Sequence, residues 1–135
     1  MANNPHFLTA TRNTMLNDIT TSIGTSALFN IYAGVQPADV SSATTAANVI
    51  ISQLTFPTTN AFGAASAGSM TANTITSDSS AVGGTAAWFS ITKSTGARVA
   101  DGSVGTSGAD LNLNSVTITT GATVAITAFS ITMSA

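Results

Sequence analysis

The chain of 135 residues has the length of one domain, enough to bury roughly two thirds of the surface its unfolded form exposes. Only 6% of its residues are charged, none is Glu or Cys, and the formal net charge is −2. That balance excludes a disulfide framework, a thiolate nucleophile, a Cys-based zinc site and the basic footprint of direct nucleic-acid binding.

Scarce charge together with a positive mean hydropathy of +0.37 argues for a folded chain rather than a disordered one. Abundant Thr, Val and Ile favour strands, and the missing Glu strips exposed helix faces of a usual residue, so an all-β fold is expected. A surface this weakly charged is poorly protected against association, which predicts that other chains cover much of it.

Residues 1–10 read as an arm, because Asn3, Asn4 and Pro5 oppose regular structure, and His6-Phe7-Leu8 forms a small apolar anchor within it. The arm lacks the basic start and long apolar run of a secretory signal, and no later run reaches the length of a membrane span. Synthesis as a soluble cytosolic chain, with no membrane partner, is expected. One helical pattern follows over 11–23, with Met15, Leu16, Ile19 and Ile23 on one face, Thr9 or Thr11 as the cap and Gly24 as the left-handed terminator. Its polar face has poor helix propensity, so it must pack against the sheet or a neighbouring subunit.

Residues 27–33 predict a strand with Phe29 and Ile31 on one side and Leu28 and Tyr32 on the other, closed by the turn Gly34-Val35-Gln36-Pro37. A second strand over 49–56, stopped by Pro57, turns Ile50, Leu54 and Phe56 toward the core. Residues 58–84 are small and polar, with a weak strand over 70–76. They read as a long excursion within one domain, since neither half carries enough large apolar residues to fold alone.

The pattern is strongest after Gly84. Trp88-Phe89-Ser90-Ile91-Thr92 and Val99-Ala100 predict a hairpin, with Lys93 and Arg98 at a solvated tip. Val116-Thr117-Ile118-Thr119 and Val124-Ala125-Ile126, on either side of Thr120-Gly121-Ala122-Thr123, predict a second hairpin. The apolar phase then moves to Phe129, Ile131 and Met133, which requires a bulge near Thr127-Ala128 or a strand that changes partner. Trp88 and Phe89 must point to opposite faces. One is core, and the other is either an interface anchor or buried as well.

The residues that carry chemistry are not assembled. His6 is the single histidine and lies in the arm, and no serine sits in G-x-S-x-G, so neither catalytic residues nor a cofactor is expected and the chain reads as a non-enzyme. Asp101 and Asp110 flank Gly102-Ser103-Val104-Gly105-Thr106-Ser107-Gly108, the one place where two acids and flexible carbonyls can converge. A phosphate cradle is discounted, because the run ends in Ala109-Asp110-Leu111 before a strand rather than in Gly-Lys-Ser before a helix. A calcium site has the oxygen chemistry without a matching loop spacing, and a plain connection built from permissive glycines and Asx turns uses the same residues. No metal site is assigned.

Several segments carry a likeness. Phe29-Asn30-Ile31-Tyr32-Ala33-Gly34-Val35-Gln36-Pro37, Leu54-Thr55-Phe56, Ala61-Phe62-Gly63-Ala64-Ala65-Ser66, Thr85-Ala86-Ala87-Trp88-Phe89, residues 101–114 and Ile126-Thr127-Ala128-Phe129-Ser130-Ile131-Thr132 together resemble a family of small structural proteins of tailed bacteriophages. The likeness covers nearly all the chain outside the arm and helix. It implies a place in the virion, above all capsid decoration (cementing), with the major capsid protein as partner and no catalytic residues.

The expectation is an all-β chain: an antiparallel β-sandwich or jelly-roll-like domain over 25–135, preceded by an arm and one short helix over 1–24 that contact the lattice or a partner. A homo-oligomer, a trimer suited to a threefold position, fits that role. The residues assigned to the interface are His6, Phe7, Leu8, Met15, Ile19 and Trp88. Two alternatives stand beside it: a tail, head-tail connector or fibre-associated virion protein, and a small carbohydrate-binding or adhesin-like module.

Overall fold

The structure, a computed structural model, describes residues 5–135, and these form one α-helix and nine short strands. Helix α1 (Thr9–Ile23) begins earlier than its apolar pattern suggests, and neither Thr9 nor Thr11 caps it. The N-cap is Leu8, which has no side-chain acceptor to offer. Gly24 ends the helix with its N–H on the Thr20 carbonyl, at φ 79° and ψ −157°, a conformation open to glycine and outside the left-handed helical basin expected there. Leu16, Thr20 and Ile23, spaced four and three apart, form the buried stripe. Met15 is displaced to the flank of that stripe and is 38% exposed, while Ile19 is half-buried.

The strands are β1 (Leu28–Tyr32), β2 (Ile50–Thr55), β3 (Ser69–Thr71), β4 (Gly84–Thr85), β5 (Trp88–Thr92), β6 (Arg98–Gly105), β7 (Leu111–Asn112), β8 (Thr117–Ile118) and β9 (Ser130–Thr132). Five form one sheet in the order β2-β1-β5-β6-β7, antiparallel throughout except between β6 and β7. β3 pairs with β9 and β4 with β8, both antiparallel. No helix among the described residues is long and apolar enough to cross a membrane.

Register fixes the faces. Phe29 lies opposite Leu54 and Ile91, and Ile31 opposite Phe89, so these side chains share the core face of the sheet. Asn30, Tyr32, Trp88, Ser90 and Thr92 occupy the other face. Ile50, expected in the core, is exposed. The β1/β2 register slips between Ile31 and Tyr32, which pairs Ile50 with Tyr32 on the far face and leaves Ile51, almost fully buried, to take its place. A cluster of phenylalanines closes the core: Phe29 stacks on Phe89 at 4.8 Å between ring centroids, and Phe129 meets both edge-on at 5.3 and 5.4 Å.

The first predicted hairpin is present as β5 and β6, with Lys93 N–H on the Ala97 carbonyl and Gly96 at φ 90°. The second is not. Residues 119–122 do turn, but β8 pairs with β4 and Val124 bridges to Asp78, so the two arms of the turn find partners in the excursion rather than in each other. The same pairing explains the phase change before β9: the chain leaves Asp78 and joins β3, changing partner as one reading required. The weak strand expected over 70–76 shrinks to β3, with Thr76 forming an isolated bridge to Thr55.

Candidate functional site

Pro5, His6, Phe7 and Leu8 are all exposed ahead of α1, Phe7 at 45% and Leu8 at 79%; residues 1–4 of the arm lie outside the described residues. An exposed leucine at an N-cap is a poor choice for the helix, because Ser, Thr, Asp or Asn there would satisfy a free N–H. Met15 and Ile19, four apart, form a short apolar stripe on one side of α1, with Leu8 two turns further toward the N-terminus beyond Thr11 and Arg12. The stripe runs into a cleft.

That cleft, about 680 Å3, opens between α1, β6 and β9. Ile19, Phe89, Ile91, Phe129 and Ile131 give it an apolar wall, and the carboxylates of Asp18 and Asp110 are its two charged side chains beside Asp101, whose carboxyl belongs to the opposite face of the sheet. Arg12 ties α1 to the far wall by donating to the Met133 carbonyl at 2.8 Å. The cleft suits apolar side chains entering beside main chain.

Trp88 is completely buried within its own chain, so of the two readings it takes the core one and is no surface anchor. It stacks on Tyr32 at 4.0 Å and 7°, and the Arg98 guanidinium lies 5.7 Å from its ring centroid. Arg98, expected at a solvated tip, is instead half-buried: it donates to the Ser42 carbonyl and faces the Asp101 carboxylate at 3.5 Å. Gln36 donates to the other Asp101 oxygen at 3.0 Å. These contacts pin residues 34–48 over the sheet, a fold-back that needs Gly34, since a Cβ there would lie 2.4 Å from the Ala47 carbonyl oxygen.

Asp101 and Asp110 therefore do not converge. Asp110 accepts from the Ser103 N–H at 2.8 Å and its hydroxyl at 2.7 Å, and these bonds hold its carboxyl below the ordinary aspartate value against the opposing effect of burial. Asp101 and Gly102, read as leading into a loop, lie inside β6 instead. A Cβ at Gly102 would sit 2.8 Å from the Phe89 ring, so the glycine serves close packing. Among the described residues no group of three His, Cys, Asp or Glu side chains is placed to hold a metal.

Sequence reasoning named Ile19 but missed the cleft it lines, because the walls come from α1, β5, β6 and β9, which meet only after folding. Comparison with known protein families, with curated proteins and with solved structures finds no match, so the geometry stands on its own.

Proposed function

We propose that the chain is a structural protein of a bacteriophage virion, a capsid decoration protein that binds the assembled shell better than free subunits and so stabilises it by mass action. The observation that carries this reading is an exposed apolar anchor, Phe7 and Leu8, on a chain with a formal net charge of only −2. The phage-like segments around Phe29, Trp88 and Phe129 supply the context, and they fall in the body of the fold rather than in the arm. In this reading the five-stranded sheet and the smaller β3-β9 and β4-β8 ladders make a sandwich or jelly-roll-like body, and the arm with α1 makes contact with neighbouring chains or the shell.

Copy number tests the proposal. Quantitative mass spectrometry of purified particles should find the chain at hundreds of copies, as shell symmetry demands of a decoration protein. A dozen copies or fewer would move it to the tail or head-tail connector, and its absence from particles would end the virion reading.

A further inference from the structure

We infer that the cleft between α1, β6 and β9 is the seat for the arm of a second copy of this chain, which enters as an added strand. β6 is open on its outer side from Arg98 to Gly102, because β7 covers only Val104 and Gly105. Along β6 the main-chain groups alternate in direction: the Val104 N–H donates to Ala87 on the β5 side, whereas the Ser103 N–H donates to Asp110 on the other. Asp101, two residues from Ser103, therefore presents its N–H and carbonyl to the cleft, and no described group pairs with them.

β9 is open in the same way. The Phe129 carbonyl and the Met133 N–H bond toward β3, so Ser130 and Thr132, offset by one residue, turn their main-chain groups away from β3, and both line the cleft. Two unpaired edges and an apolar wall thus share one opening, which is what an extended apolar segment requires.

The arm matches it. Leu8 is extended at φ −55° and ψ 145°, Phe7 and Leu8 are exposed apolar side chains, and the described arm residues 5–8 reach about 14 Å along an open stretch of β6 about 17 Å long. It comes from another copy, because the chain's own Phe7 and Leu8 are 45% and 79% exposed and do not line the cleft. A leucine kept at the N-cap, where it weakens the helix, has a use once it is buried in a neighbour.

Native mass spectrometry and amide hydrogen exchange of the full chain test this, beside the variant Phe7→Asp with Leu8→Asp. The expected result is an oligomer for the natural chain and a folded monomer for the variant, with the Asp101 and Thr132 amides exchanging about tenfold or more faster in the variant. A natural chain that stays monomeric, or an oligomer that survives the double substitution, overturns the inference. So does slowing of the Asp101 amide only on addition of shell subunits, which would give the cleft to a foreign strand. Oligomers with the expected protection but no affinity for particles would remove the virion role and leave the arm exchange intact.

Discussion

At Gly102 an added methyl group would meet the phenylalanine core. Its Cβ would press on Phe89, which is itself fixed between Phe29 and Phe129, and on the Asp110 side chain at 3.1 Å. Gly102→Ala is expected to lower stability by about 1–3 kcal/mol in urea denaturation, an overpacking effect. Asp78 and Asp110 set the acid limit. Burial raises the Asp78 carboxyl, but the Ser80 N–H, the Ser52 hydroxyl and the Gln53 N–H outweigh it, and Ser103 acts likewise on Asp110, so both sit below 3.8. Their stabilisation is complete above the ordinary aspartate value and is lost as pH falls through the lowered ones. Denaturation at a series of acid pH values should show that loss, and Asp110→Asn should flatten it in part.

At the scale of the element, α1 belongs to the core as much as to any interface. Leu16 and Ile23 are buried to within 1% exposure, so removing residues 1–24 would take core with it, and the informative truncation ends at residue 8. Leu8→Asp should supply the missing cap and raise the melting temperature by the equivalent of about 1 kcal/mol. Phe129→Ala should cost about 3–5 kcal/mol by the same measurement, since its ring closes the cluster over Phe29 and Phe89. The helix, β1, β2 and the β5-β6 hairpin were legible because each carries its own local signal in periodicity or turn residues. The pairing of β8 with β4 was not, since Thr117 and Gly84 look alike to any neighbour and only the folded excursion brings them together. Ile50 and Met15 were misplaced for a related reason: a one-residue bulge and a slight rotation of the helix decide their exposure, and neither leaves a mark in composition.

For the whole molecule, three basic and five acidic residues leave little for salt to screen. Association through an apolar cleft and strand edges should therefore change little between low and high ionic strength, as sedimentation at a series of salt concentrations would register. Arm and cleft are different surfaces of one chain, so their contact is head-to-tail and each copy always offers a further arm and a further vacancy. Such a contact either comes full circle after a small number of steps or winds on without limit into a fibre. The angle between α1 and the β6 edge, fixed inside a single copy by Leu16 and by Arg12 on Met133, thus decides how many copies meet and whether the assembly ever stops.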